Sequence, residues 1–311
     1  MYKIIENKKT WFTISLSLVV ISVLSIAIFG FKLGVDFTGG GLLEVKYLTK
    51  RPEFTEIKKE LDPLKIEDLT IKAAGESGLI LKFKSTDDIT RQTIIKTLNG
   101  QVNIKEDKNK ASDVKPLIEE LSYETVGPSV GSELKQKSIT ALFWVLLVIV
   151  LYVTYAFRKV AKPISSWKYG VAALIALFHD VIILCGAFSL LGHFFFFFVD
   201  INFIVALLTL LGYSVNDTIV VFDRIRENIP KSNLPYDVVI NNSINQTFAR
   251  SINTSLTVTI ALVSIYIWGG ESIRNFALAL IIGVIVGTYS SIFNASPVLV
   301  VWNNHEKRKS K

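Results

Sequence analysis

INFIVALLTLLGYSVNDTIVVFDRIREN, residues 201–228, decides how this chain is read. From Ile201 to Phe222 the run is long and apolar enough for a helix to cross a hydrocarbon core about 30 Å thick. Yet Asn216 and Asp217 lie inside it, and Asp223-Arg224-Ile225-Arg226 closes it. An ionisable side chain at that depth costs about 2.5–3.5 kcal/mol on insertion scales, which makes Asp217 a functional candidate first. The structural alternative sets Asp217 in a wet crevice near the cytoplasmic end, tied to a neighbouring helix.

Half of the 311 residues are hydrophobic, which places the chain among membrane proteins before any motif is read. Long apolar runs over residues 11–31, 138–157, 169–191, 199–222, 250–268 and 273–302 predict six transmembrane helices. A wholly soluble fold is excluded.

Orientation follows from where the cations fall. Lys3, Lys8 and Lys9 precede the first span, and Arg158, Lys159, Lys162 and Lys168 lie between the second and third. Arg224, Arg226 and Lys231 follow the fourth, and Lys307, Arg308, Lys309 and Lys311 form a short basic tail over residues 303–311. Residues 32–137 hold 18 basic and 18 acidic side chains, so the net charge of +7 resides outside that segment. This positive-inside pattern predicts that both termini, residues 1–10 included, and the loop over residues 223–249 face the cytoplasm. The cations are split among short loops and form no single patch, which argues against a nucleic-acid footprint. The first apolar stretch exceeds a signal core and no small-x-small cleavage site precedes Lys32, so an uncleaved anchor is expected. The one cysteine, Cys185, falls within the third span, leaving the external segment without disulfides.

Residues 32–137 have the size of one domain. Alternation over residues 42–48 reads as a strand, residues 53–61 as a helix, and residues 68–74 as a second strand. GESG at 75–78 turns into a third strand at 79–84, Asp87 or Asp88 caps a helix to about Leu98, and Gly100 stops it. Residues 121–126 read as a last strand, and the polar stretch 106–115 as a mobile loop. The order β-α-β-β-α-β predicts a ferredoxin-like α+β domain with two helices on one face of an open sheet. It contains no nucleophile–base pair, metal-ligand spacing or phosphate-cradling loop, so a binding or mechanical module is expected rather than an enzyme.

Glycine clusters mark both ends of this segment. GVDFTGGG, with Gly34, Asp36, Gly39 and Gly40, lies where the first span ends; three successive glycines permit a sharp turn from helix to strand. A phosphate-binding loop is disfavoured there because no helix follows the glycines to supply a dipole. Gly127, Pro128 and Gly131 punctuate the entry to the second span.

Polar stripes run along the later spans. Arg250, Asn253, Thr254 and Thr257 recur at helical spacing on the fifth, and Thr209, Tyr213, Asp217 and Arg224 share a face of the fourth. Arg250 and Asp217 can lie at comparable depth, where pairing would lower the burial cost of each; Asp223 is a competing partner for Arg250. Asn216 adjoins this group. His179-Asp180, within the third span, suggests a hydrogen-bonded element that gates or supports proton movement, or a structural tie between helices. His193 and His305 fall at or beyond membrane ends, so no zinc site is expected, nor any other cofactor. The sixth span carries Ala279, Gly283, Gly287, Ser290, Ser291 and Asn294 on one face, for close helix packing. Residues 237–248 have an amphipathic pattern with an Asn-rich polar face, unlike a basic lipid-binding helix. The five phenylalanines 194–198 read as an interfacial anchor.

These motifs carry a resemblance. GVDFTGG at 34–40, VGPSVGSEL at 126–134, ALFHD at 176–180, GYSVNDTIVVFDRIREN at 212–228 and NQTFARSINTSLTV at 245–258 together resemble the SecD/SecF family of protein-export membrane proteins, on its SecF side. The resemblance covers nearly the whole chain in order and spacing. It implies half of a resistance-nodulation-division-type membrane bundle, with SecD supplying the other half, in the bacterial inner membrane. It implies use of the proton-motive force to promote export of preproteins through the SecY channel after SecA has inserted them, with a YidC-type insertase as a further partner. Asp217 and Arg250 match the family's proton-relay aspartate and arginine, and the external segment matches a domain that handles emerging polypeptide. The five-phenylalanine run departs from the family, and the basic tail is too short for a cytoplasmic domain. Two other readings stand beside this one: a proton/small-molecule antiporter of the same bundle type, and a passive scaffold for SecD and the channel.

Overall fold

The structure, a computed structural model, describes residues 2–100, 116–158, 165–195 and 197–309, with side chains for all of these except 271, 272 and 309. The loop expected over residues 106–115, together with Lys159, Lys162, Phe196 and Lys311, lies outside the described residues. The chain divides into two compact units, one of residues Met1–Lys32 and Ser138–Lys311 and one of Leu33–Lys137.

Among the described residues, six helices of the larger unit are long and apolar enough to cross a membrane. The first, α1 (Lys8–Phe29), ends at Gly30, whose φ of 63° only glycine adopts freely. Its buried residues are Ser15, Ser22 and Ser25, a seam of small side chains on an otherwise greasy cylinder. That seam meets α6 (Ser166–Phe195) at close range: a Cβ built on Gly186 would lie 2.3 Å from the Ser22 Cβ. Ser25 donates to the Gly186 carbonyl at 3.2 Å, and Ser189 donates to the carbonyls of Ser25 and Gly30 at 3.0 and 2.7 Å. Small residues let backbones approach and hydroxyls fasten them, which is how helices associate where no water drives them together.

The first turns of α5 (Pro128–Ala156) belong to the smaller unit, and three further spans complete the larger one. Asp200 caps α7 (Ile201–Asn228), its Oδ1 accepting from the Phe203 amide at 2.8 Å. Next comes α8 (Tyr236–Trp268), which ends at Gly269, and then α9 (Glu271–Ser290). Gly283 and Gly287 on α9 face Leu210 and Ser214 of α7; a Cβ on Gly283 would lie 2.8 Å from the Leu210 methyls, which would have to move. After α9 the backbone widens into a π turn, Ser291–Ala295, before resuming as α10 (Ser296–Lys309). Pro297 accounts for the widening. It has no N–H to offer the Phe293 carbonyl four residues back, and its ring crowds that carbonyl, so the regular ladder breaks there.

Two span limits need correction. The segment expected as a loop, residues 223–249, is mostly helical: α7 runs on to Asn228, and α8 begins at Tyr236 and passes without a break into the fifth span. The amphipathic stretch 237–248 is thus the first half of one 33-residue helix. Its Asn-rich face grips the start of the chain. Asn245 Oδ1 accepts from the Tyr2 amide at 2.7 Å and Asn241 Oδ1 from the Ile5 amide at 3.1 Å, while both asparagine amides donate to the Tyr2 carbonyl. Ile4 and Ile5 are buried by this docking, and the Tyr2 ring packs on Phe248.

In the smaller unit, a four-residue helix α2 (Val35–Thr38) leads into β1 (Gly40–Tyr47), followed by α3 (Phe54–Leu61), β2 (Thr70–Ala74), β3 (Gly78–Phe83), α4 (Asp88–Leu98) and β4 (Ile118–Val126). Neighbouring strands are all antiparallel, in the order β2-β3-β1-β4. Alternate residues Leu43, Val45 and Tyr47 of β1 and Leu79, Leu81 and Phe83 of β3 point to one face, where Ile57 and Leu61 of α3 and Ile94 and Leu98 of α4 close the core. Asp87 caps α4 by accepting from the Thr90 amide at 3.2 Å. β4 starts earlier than its alternation suggests, at Ile118; Asn99 Oδ1 holds its first amides, and Arg91 of α4 binds Glu120 on it. Gly39 and Gly40 have φ of 73° and 117°, and a Cβ on Gly40 would strike the Phe83 carbonyl at 2.3 Å, so this turn demands glycine. Gly34 precedes α2, Asp36 stands in its first turn, and α5 starts at Pro128, just after Gly127. A Cβ on Gly131 would lie 3.2 Å from the Asp36 carbonyl.

Candidate functional site

Asp217 sits on the inner face of α7, 8% exposed. Its partners are two hydroxyls. Ser251 on α8 donates to Oδ1 at 2.6 Å, and Ser291, the first residue of the π turn, donates to Oδ2 at close range. A continuing line of hydroxyls borders the site: Tyr213 donates to Ser255 at 3.0 Å, and Ser255 shares a hydrogen bond with Thr288, which donates to the Val284 carbonyl. Charge-assisted bonds of this kind are worth about 1.5–3 kcal/mol each, enough to offset the cost of holding a carboxylate away from water.

Arg250 does not pair with Asp217, and this corrects the expectation drawn from helical spacing. Among the described residues no ion pair joins Arg250 to any carboxylate. Asp223, the other partner considered, is held by Arg226 at 2.5 Å. The reason is rotational. Successive residues of an α-helix are turned by about 100°, so Ser251 and Ser255 point inward while Arg250, Asn253 and Thr254 lie on the exposed side of α8. Asp217 and Arg250 nonetheless share a cavity of about 70 Å³, lined by Tyr213, Asn216, Val220 and Thr254 as well. That is room for about two waters among polar walls.

The hydroxyl cage has a chemical property that an arginine partner lacks. A serine hydroxyl has one proton to give and two lone pairs, so it can donate to a carboxylate and, after rotating, accept from a carboxylic acid. A guanidinium only donates and favours the ionised form alone. Ser251 and Ser291 can therefore satisfy Asp217 in either protonation state.

A second carboxylate lies in the same layer. Asp180 on α6 is 0% exposed; Ser214 and Ser290 donate to its Oδ2 at 2.6 and 2.8 Å, and His179 Nδ1 stands 3.0 Å from Oδ1. The residues that sequence reading missed are thus serines: Ser214, Ser251 and Ser255, with Ser290 and Ser291 taken only for packing. Their signal is present as Ser251 and Ser255 one turn apart and as the adjacent pair Ser290-Ser291 within two turns of Pro297, in spans otherwise rich in aliphatic residues.

A bundle of six apolar helices around buried carboxylates defines a multi-pass membrane protein with an intramembrane acidic site. Residues 106–305 match the family model of the protein export membrane protein SecD/SecF, C-terminal, and residues 24–47 match the SecD/SecF GG motif. The chain is 36% identical to a protein translocase subunit SecF of Thermobaculum terrenum, over 98% of this chain and 95% of that one. It is 37% identical to the SecF subunit of Anaerolinea thermophila, over 99% and 96%. The crystal structure of SecDF from Thermus thermophilus superposes with a TM-score of 0.79 at 33% identity, over 97% of this chain and 39% of that one. The chain therefore spans about two fifths of the solved SecDF chain. It belongs to the SecD/SecF family of protein export membrane proteins, as a SecF-type subunit of protein translocation.

Proposed function

We propose that this chain, together with a SecD subunit, uses the proton-motive force to promote export of preproteins through the SecY channel after insertion by SecA, and that Asp217 is the residue that takes up and releases the proton. The observation that carries this reading is the Asp217 cage: a buried carboxylate satisfied by two serine hydroxyls, beside a small polar cavity that Arg250 lines without pairing. Protonation of Asp217 lets Ser251 and Ser291 reorient, which changes how α8 and the π turn are tied to α7. Moving one charge across a potential of about 100 mV is worth roughly 2.3 kcal/mol, enough to reweight two helix arrangements about fiftyfold.

Partnership with SecD is supported by the surface that α8 leaves open. Asn216, Asn253, Thr254, Thr257 and Arg250 are exposed at membrane depth, where polar groups facing lipid are costly, so a second bundle presenting polar side chains would cover them. The Thermus thermophilus relative, named SecDF, is a longer chain of which this one matches 35%. A single chain of that kind would hold both halves of a resistance-nodulation-division-type bundle. The cation distribution favours cytoplasmic termini in a bacterial inner membrane, with Leu33–Lys137 as an extracytoplasmic ferredoxin-like domain that engages emerging polypeptide. Its β-α-β-β-α-β order and antiparallel β2-β3-β1-β4 sheet support that fold. SecA and a YidC-type insertase would act in the same assembly.

The test is Asp217→Asn. It should leave the subunit assembled with SecD while abolishing the part of secretion that responds to a proton gradient. Secretion that keeps its full response would refute the assignment.

A further inference from the structure

Asp180 is the most deeply buried acid in the bundle, and the proton-carrying role of Asp217 makes no use of it. Its position is nevertheless tied to that site twice. Ser214, which donates to Asp180, stands three residues before Asp217 on α7. Ser290, its other hydroxyl donor, is the peptide neighbour of Ser291, which donates to Asp217. One carboxylate therefore anchors two of the three backbones that build the cage, α7 and the end of α9, at the point where the regular helix gives way to the π turn; α8, which supplies Ser251, is the third. Behind Asp180, His179 Nε2 is buried without a partner among the described residues, and the His179 ring stacks on Tyr289 with centroids 6.1 Å apart. Tyr289 in turn meets Ser15 of α1 at 3.0 Å and donates to the Trp11 carbonyl. Among the described residues, the titratable or charged groups around the two acids are His179 on α6, Tyr213 on α7, Tyr289 on α9 and Arg250 on α8, with the hydroxyls of Ser15 on α1 and Ser214 on α7 beside them.

We propose that Asp180, backed by His179, is the positioning residue of the Asp217 site. Its carboxylate commits the Ser214 and Ser290 hydroxyls as donors, and so fixes the entry to the π turn that holds Ser291 on Asp217. A serine has a single hydroxyl proton, so while Asp180 is ionised those two serines cannot turn away to serve another acceptor. The inference rests on the proton-carrying reading of Asp217 and deepens it.

Infrared titration of the full-length protein in liposomes tests this, with Asp217→Asn assigning the Asp217 carboxyl band. Asp180→Asn and Ser290→Ala should each displace the Asp217 titration, Ser290→Ala by raising the proton affinity about tenfold, a displacement of about one pH unit, because the Ser291 donor no longer steadies the ionised carboxylate. Ser290→Thr, which keeps the hydroxyl, should restore the parent titration. A purely structural Asp180 would lower yield or melting temperature while the Asp217 band titrated unchanged in both Asp180→Asn and Ser290→Ala, and that result overturns the proposal alone. An Asp217 band that never titrates overturns the proton-carrying reading and this inference with it. Should Asp180→Asn fail to fold, the Ser290→Ala and Ser290→Thr pair decides the question by itself.

Discussion

Ser291 donates its hydroxyl to Asp217 from the first residue of a π turn, so the widened backbone, rather than a regular helix, delivers the donor. Removing that hydroxyl leaves a buried carboxylate with one partner in place of two. Ser291→Ala should cost about 1–3 kcal/mol of stability and weaken the gradient response of secretion, whereas Ser291→Thr should retain both. In-vitro translocation with and without an imposed proton gradient measures the response; thermal unfolding in detergent measures the cost.

Gly186 against Ser22 gives a second expectation. A Cβ there would lie 2.3 Å from the Ser22 Cβ, so Gly186→Val forces α1 and α6 apart. Overpacking of this kind costs about 1–3 kcal/mol, and a lowered melting temperature of the purified subunit should report it. Gly212, which has open space around it, should accept alanine with little loss and serves as the control.

The clamp of Asn241 and Asn245 on Tyr2 and Ile5 predicts a local effect. Replacing both asparagines by leucine removes four hydrogen bonds, each worth about 0.5–1.5 kcal/mol. Amide exchange at residues 2–5 should accelerate strongly while exchange in the middle of α7 stays as it was. Equal protection in the variant would show that burial of Ile4 and Ile5 holds the segment without the asparagines.

The smaller unit should be acid-sensitive through Arg91. Its hydrogen bonds from the Arg91 guanidinium and from Gln92 hold the Asp88 carboxyl below the ordinary value of 3.8. Arg91 also grips Glu120 on β4 at 2.6 Å. Because Asp88 is depressed in the folded state, its contribution is complete above pH 3.8 and is lost as pH falls through the lower folded value. Exchange of α4 and β4 amides should therefore rise slightly in that acid range, as befits a solvent-exposed pair, and Arg91→Met should flatten the dependence.

Much of the architecture was legible in the chain itself. Hydropathy located all six spans because a helix that crosses a bilayer must be long and apolar, and alternation located the strands of the smaller unit because a sheet with one dry face repeats every two residues. The site was legible only in part. Asp217 stood out because an acid is rare at membrane depth, and His179-Asp180 for the same reason. Its serines did not, since a hydroxyl within a span is cheap and is as common in packing seams as in functional cages.

Sequence by itself determined the number of membrane helices, the order of strands and helices between the first two, and the identity of the buried acids, since each depends on periodicity or on the solvation cost of a single residue. Tertiary structure alone decided what those acids touch. A one-residue step turns a helix face by about 100°, so whether Arg250 or Ser251 meets Asp217 depends on how α8 is rotated against α7 and α9. Glycines at 283 and 287 set how closely α9 approaches α7, and the Pro297-induced π turn, through a broken hydrogen-bond ladder, sets where Ser291 meets Asp217.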